Sequence, residues 1–337
     1  MNFYISTFRR KIILGLSLIF LGIVCIDIAL YFIADNKTTK NYFINTKSSK
    51  IKHFILNGST EKDVVFMGSS RTAYQISTKV FKDRGVNVYN FGVVGAQFDD
   101  YPSLLPTIIN SDPKKVVISL TINKLYEDLG ISDYPGIEEI SYYYNIDKTK
   151  FIKSLGRWLV NRHLFLEYSE PILYQIKGFY NKFNHHDYAK KHDSIYDKLN
   201  FSEFVGCEIF DIKRTRENRQ ILKCTNGDGV IVDSIPNKIR HPEKIDLASL
   251  NQDSILFFSK LIKELKEKTE VVVVFEPVFH REYQYNLDDL KKAIGDIKIV
   301  DMTGHDISMV NELWADSGHL NYKGRRKYSE ILVNMLR

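Results

Sequence analysis

The sequence predicts an α/β protein with a doubly wound parallel sheet in three layers. Three observations carry that reading. Short apolar and β-branched runs alternate with helix-length segments over residues 62–122, and the alternation returns over 250–336. The runs at 116–122 and 271–275 are almost wholly apolar, as strands covered on both faces are. Gly, Ser and Asn cluster where several of these runs end, the edge at which such sheets turn into helices and gather ligands.

The first strand, 62–67, runs into Gly68-Ser69-Ser70. A short helix is expected at 74–84 and a second strand at 86–91, followed by a glycine-bounded turn at 92–96. Residues 99–109 read as a helix, with Asp99 and Asp100 at its start and Pro102 in its first turn. The third strand is 116–122. Residues 250–268 are amphipathic, with Ile255, Phe258, Ile262 and Leu265 on one face. The β-branched run at 271–275 is the fourth strand. A helix at 287–294, a fifth strand at 297–301 and a closing helix at 323–336 complete the core. Residues 124–248 break the rhythm. They are rich in Tyr, Phe, Lys, Asn and His, with helical pieces near 149–164 and 168–183. They are expected to form a mainly helical insertion over the C-terminal ends of the strands.

At 337 residues, 44% hydrophobic and 26% charged, the chain has ample material for a core. Its net charge of +6 comes from scattered lysines. Without zinc-finger spacing, an RNA-binding aromatic signature or an arginine-rich stripe, nucleic acid is not an expected partner. Residues 12–34 are long and apolar enough to cross a bilayer, with Ser17 and Asp27 the clearly polar interruptions. Arg9, Arg10 and Lys11 precede them and favour residues 1–11 in the cytoplasm, although Lys37 and Lys40 follow on the other side. No clean small-residue cleavage site follows, and Val24 precedes Cys25 where a lipoprotein signal needs a small residue. The expectation is an uncleaved N-terminal transmembrane anchor, a polar linker at 35–60 with room for one short helix, and an extracytoplasmic domain over 61–337. There, Cys207 and Cys224 either form a disulfide, as an oxidising location permits, or are two unrelated thiols.

The residues that carry chemistry fall in four blocks. Gly68-Ser69-Ser70 follows the first strand, Asn90-Phe91-Gly92-Val93-Val94-Gly95 the second, and Thr121-Ile122-Asn123 the third. Asp316-Ser317-Gly318-His319-Leu320-Asn321 precedes the last helix. Asp316 stands three residues before His319, where a carboxylate can orient and charge-stabilise an imidazole. With the Ser70 hydroxyl these make a nucleophile, a base and an orienter. Singly, each block has a plainer meaning. Gly-Ser-Ser is a common strand-end turn, and Asn-x-Gly-x-x-Gly a tight turn. Asn123 could cap a helix, and Asp-x-x-His could open one with an incidental histidine. Their conjunction in order, at strand ends, raises the joint reading above any one of them.

That order and content resemble the SGNH, or GDSL-type, hydrolase superfamily over residues 62–123 and 249–337. The resemblance implies a flavodoxin-like strand order, with Ser70 as nucleophile, His319 as base and Asp316 as its orienter. It also implies an oxyanion hole from the backbone N–H groups of Ser70 and Gly95 and the Asn123 side-chain amide. Thr121 and Lys124 depart from the family's Gly-x-Asn-Asp, and Ser69 stands where Asp is common. Arg71 is either a solvated residue or, with Ser69, a contact for an anionic substrate. The anchor and the Gly-Ser-Ser-Arg and Asp-x-x-His-Leu-Asn blocks are similar to envelope members that act with membrane O-acyltransferases on polysaccharides or teichoic acids. This implies serine-dependent acyl transfer to, or ester hydrolysis from, a cell-surface glycan. A membrane O-acyltransferase is the implied partner, and no metal or nucleotide cofactor is expected. The alternative is a non-catalytic accessory protein that binds glycan or such a partner. A lipid esterase is a third reading, and it would need an apolar groove.

Other residues are weaker candidates. His185, His186 and Asp187 lack a third metal ligand at useful spacing. His305-Asp306 follows the fifth strand but has no carboxylate three residues upstream. Glu276-Pro277 either lines the cleft or ends the fourth strand. Tyr142, Tyr143 and Tyr144 either stack on sugar rings or pack the insertion on the core.

Overall fold

The computed structural model describes residues 47–57, 61–133, 135–161, 209–214, 220–232 and 242–336, with residues 14, 15, 17, 18, 21, 22 and 25. In chain order the strands are β1 (Val64–Gly68), β2 (Val88–Gly92), β3 (Lys115–Leu120), β4 (Ile209–Arg214) and β5 (Gln220–Cys224). They continue with β6 (Gly229–Ile231), β7 (Glu243–Asp246), β8 (Glu270–Phe275), β9 (Arg281–Gln284) and β10 (Lys298–Asp301). The helices used below are α1 (Lys47–Asn57), α2 (Ser70–Gln75), α3 (Thr78–Lys82), α4 (Leu105–Asn110) and α5 (Ile137–Ile146). After them come α6 (Lys148–Asn161), α7 (Gln252–Lys266), α8 (Leu287–Ile294) and α9 (Tyr322–Met335).

The core is a mostly α/β arrangement around a parallel sheet. Strands β2, β1, β3, β8 and β10 lie side by side in that order, all parallel. Strand alternation sorts the side chains into two layers. Val65, Met67, Val116, Ile118, Val273 and Phe275 join Phe257, Phe258, Leu261 and Leu265 of α7. Val64, Phe66, Val117, Val272 and Val274 join Tyr328, Leu332 and Val333 of α9, and Phe81 of α3. A strand buried on both faces needs apolar residues at every position, so the 271–275 run shows no alternation.

Two expected helices differ from those observed. The segment expected at 74–84 is two short helices. Helix α2 starts at Ser70, directly off β1, and ends where the buried Asn90 Nδ2 donates to the carbonyls of Thr72 (2.7 Å) and Ile76 (3.3 Å). Ser77 then caps α3, its hydroxyl accepting the Val80 N–H at 3.4 Å. The helix expected at 99–109 is a 3-10 segment over Phe98–Leu104 that runs into α4. Pro106 near the junction has no N–H with which to extend an α-helical ladder backwards.

The described part of the insertion corrects the mainly helical expectation. It holds α5 and α6, but β4, β5 and β6 form an antiparallel sheet, and β7 pairs in parallel with β9. The expected helix at 168–183 lies outside the described residues. Between β5 and β6 the chain turns through Asn226-Gly227, a hairpin signature, with Gly227 at φ +84°. That turn docks on the edge of the main sheet, where the Asn90 N–H donates to the Asn226 carbonyl at 3.0 Å. Beside it the buried Asp228 accepts from Thr78 Oγ1 at 2.9 Å and from the Arg325 guanidinium of α9. Lys50 of α1 donates to the Gly227 carbonyl, and burial pushes its ammonium down to about 7 against the pull of Asp228. Removing one partner of such a buried ionic group is strongly destabilising. Asp228→Ala is therefore expected to lower unfolding free energy by about 3–5 kcal/mol, read as a lower urea midpoint.

Helix α1 falls in the stretch expected as a linker, yet it is docked. Phe54 is fully buried, with its ring 4.6 Å from that of Tyr89 and 5.0 Å from that of Phe91. Residues 1–11 and most of the expected anchor at 12–34 lie outside the described residues. Those of 14–25 that are described are helical, with Leu14, Leu18 and Leu21 exposed. Among the described residues no helix is long and apolar enough to cross a membrane. Cys224 is buried and disulfide-bonded, Cys25 is free, and Cys207 lies outside the described residues.

Candidate active site

Ser70 is placed by two close backbone approaches. A Cβ on Gly68 would collide with Thr72 Oγ1 and lie 2.8 Å from the Ser119 carbonyl oxygen. A Cβ on Gly92 would collide with the Ala73 nitrogen and lie 2.7 Å from its Cα. Only glycine at both positions lets α2 sit this tightly on the ends of β1 and β2. Asn90 locks the arrangement, donating to α2 and accepting the Gly92 N–H at 2.9 Å. Ser69, proposed from sequence as a substrate contact, serves as the N-cap of α2: its Oγ accepts the Arg71 N–H at 3.3 Å.

His319 is delivered by a tight loop. Trp314 and Leu320 form an antiparallel bridge, and the Ala315 N–H donates to the His319 carbonyl at 2.8 Å. Buried Asn321 caps α9 by accepting from Lys323 N (3.0 Å) and Gly324 N (3.1 Å). It also donates to the Glu312 carbonyl at 2.7 Å, so one side chain pins both ends of the loop. Gly324 fits there because a Cβ would run into the Leu313 carbonyl oxygen.

Within the loop, Asp316 Oδ1 accepts from Gly318 N (2.7 Å), His319 N (2.9 Å) and His319 Nδ1 (3.0 Å). On the other side of the ring, His319 Nε2 lies 2.9 Å from Ser70 Oγ. An ionised carboxylate only accepts, so Nδ1 carries the hydrogen and Nε2 is free to accept the Ser70 hydroxyl. Burial pushes the Asp316 carboxyl up. The hydrogen bond and charge of His319, with the N–H groups of Gly318 and His319, outweigh that and leave it at about 2. It is thus ionised wherever the protein is folded near neutral pH. The edge of Tyr74 meets the imidazole at 5.4 Å between centroids, and Gln75 Nε2 donates to the Gly318 carbonyl at 3.2 Å. Neither residue carries a sequence signal, since both act only through the folded position of α2.

The other predicted residues fall at the same sheet edge with different degrees of engagement. Gly95 is exposed at φ +85°, and no acceptor takes its N–H among the described residues. A Cβ there would meet nothing within 4 Å, so its backbone angle, not crowding, calls for glycine. The turn that carries it is tied to the end of β1 by the Val93 N–H on the Gly68 carbonyl at 2.9 Å. Asn123 lies in the 3-10 turn after β3, but its Nδ2 donates to Glu127 Oε1 at 2.5 Å, and Lys124 holds the other Glu127 oxygen at 2.7 Å. One Asn123 N–H remains for an oxyanion. Arg71 is half-buried, with Nη1 fully covered and without a hydrogen-bond partner. It faces Glu276, which lies 1% exposed directly after β8, so Arg71 is not the solvated residue its plainer reading suggests.

The weaker candidates go elsewhere. His305 caps a short 3-10 turn, its Nδ1 accepting the Ile307 N–H at 3.1 Å. Tyr142 and Tyr143 are buried against Phe257 of α7, and Tyr144 is exposed. His185, His186 and Asp187 lie outside the described residues. Among the described residues no group of three or more His, Cys, Asp or Glu is placed to hold a metal ion. No protein-family model, curated protein or solved structure matches the chain.

Proposed function

We propose that this chain is an SGNH-like serine acyl-transfer enzyme acting on the O-acyl groups of a cell-surface glycan. The observation that carries the reading is the continuous relay from Asp316 through His319 Nδ1 and Nε2 to Ser70 Oγ, with links of 3.0 and 2.9 Å. In this reading Ser70 Oγ attacks the acyl carbonyl as Nε2 takes its proton. The imidazolium then returns that proton to the departing alcohol, leaving an acyl-serine. Water or a second hydroxyl, deprotonated by the same nitrogen, releases the acyl group. The tetrahedral oxyanion would be met by the N–H groups of Ser70 and Gly95 and the spare N–H of Asn123. Each such donor is typically worth about 3–4 kcal/mol in the transition state.

The cellular part of the proposal rests on the sequence. The apolar segment 12–34 with its preceding basic residues supports a membrane-anchored, extracytoplasmic domain, and an envelope glycan is the substrate such a domain meets. A membrane O-acyltransferase is the proposed partner. One observation favours the accessory, non-catalytic reading: Asn123 already donates to Glu127, and Glu127 is itself held by Lys124, where the family pattern has a different residue.

The two readings separate in one experiment. The full-length chain is treated with a fluorophosphonate probe, and the adduct is located by peptide mass. A single adduct on Ser70, absent in Ser70→Ala, is the expected result. A folded chain that takes no adduct would leave the accessory reading in its place.

A further inference from the structure

Glu276 has no place in the relay, yet it is buried next to it. Its Oε1 accepts from Thr72 Oγ1 at 3.0 Å and from Ser119 Oγ at 2.8 Å. Thr72 lies two residues beyond Ser70 on α2, and Ser119 lies on β3. One oxygen therefore joins β8, β3 and the helix that carries the nucleophile. The second oxygen, Oε2, is buried without a hydrogen-bond partner, as are Arg71 Nη1 and Tyr328 OH. Four charged or titratable groups face the carboxyl from the elements around it. They are Arg71 on α2, His319 on its loop, Tyr101 on the 3-10 segment and Tyr328 on α9.

A neutral glutamine at this position would satisfy Thr72 and Ser119 equally well. What it would lack is charge, and a buried carboxylate is a heavy desolvation burden unless its charge is used. Burial raises the Glu276 carboxyl above its ordinary range; Arg71, the two hydroxyls and His319 oppose that rise without cancelling it. Two hydroxyls donating to one oxygen, with a guanidinium opposite, are an environment built for the ionised form.

We propose that Glu276 is an ionised positioning residue: it fixes α2, and so Ser70, through Thr72, and its charge supports the imidazolium form of His319 alongside Asp316. The role in catalysis rests on the acyl-transfer reading, but the coupling itself is measurable without turnover. In the full-length chain labelled with ¹⁵N-histidine, the His319 signal is identified by its loss in His319→Gln. Glu276→Gln is expected to make this ring lose its proton at a pH lower by about half a unit or more, because a nearby negative charge is gone. Glu276→Asp, which keeps the charge, is expected to follow the wild type. A Glu276→Gln titration that superposes on the wild type would overturn the proposal.

Should Glu276→Gln fail to fold, the wild type still decides. With ¹³C-carboxyl glutamate, Glu276 is expected to give an ionised carboxylate shift at pH 8, and a protonated signal there would sink the idea. Failure of wild-type Ser70 to take the fluorophosphonate would count against acyl transfer alone and leave the coupling standing.

Discussion

His319→Ala is expected to lower ester turnover by about four to six orders of magnitude, the range seen when the base of a serine triad is removed. The size follows from the absence of a substitute. Nε2 is the group that lies 2.9 Å from Ser70 Oγ, and His305 is committed as a helix cap far along the loop. Asp316, at about 2, is too weak a base to take the proton of an alcohol near neutral pH, and it faces the opposite side of the ring. Hydrolysis of p-nitrophenyl acetate by the full-length chain measures the loss. Retention of more than about one hundredth of wild-type turnover would mean that another base serves Ser70, and the assigned relay would be wrong. A folded wild type without measurable turnover would instead point back to the accessory reading.

The parts of this site that were legible in the sequence are those fixed locally. Asp316 and His319 are three residues apart in one turn, and their contact depends on little beyond that turn and its cap at Asn321. Ser70 was legible because a buried strand ending in glycine must turn, and the residue after the turn stands at the sheet edge. The five core strands were legible for a similar reason: runs such as Val271-Val272-Val273-Val274-Phe275 are too apolar to lie anywhere but between two layers. What could not be read depends on long-range partners. The sequence gives no hint that Glu276 would meet Thr72 and Ser119, 204 and 157 residues away. Nor does it show that Glu127 would take the Asn123 amide, because an i,i+4 pair is as consistent with a solvated helix as with a turn at an active site. The strands of the insertion escaped for a related reason. β4 pairs with β5, the next strand of the insertion, and β7 finds its partner β9 beyond α7 and β8 in the chain. The Asn226-Gly227 hairpin was the one local signal available, and it lay within a region whose aromatic and lysine content suggested helices.

Asp316→Asn is the second large effect, and it tests the direction of the relay as well as its existence. A carboxamide at this position can still accept the Gly318 and His319 N–H groups through its oxygen. Its NH₂ would then face His319 Nδ1, which must give up its hydrogen to accept, and the proton moves to Nε2. That tautomer can no longer accept from Ser70, so kcat is expected to fall by about 10⁴-fold with the backbone of the loop intact. Stability gives an independent readout with a defined sign. The folded-state value of Asp316, about 2, lies below its ordinary 3.8. The ionised form is therefore favoured by folding, and its contribution is complete above about pH 4. It is lost as pH falls toward 2, where the native carboxylate also takes up a proton. The shift corresponds to roughly 1–2 kcal/mol once partial exposure is discounted. Urea midpoints of the wild type should thus drop between pH 4 and 2, by more than those of Asp316→Asn, which has no proton to bind there. Parallel pH profiles for the two chains would mean that Asp316 is not held by His319 and its loop, and the tautomer argument would lose its basis. A steeper wild-type profile with turnover unchanged in Asp316→Asn would instead separate the structural role of the carboxylate from any role in orienting the base.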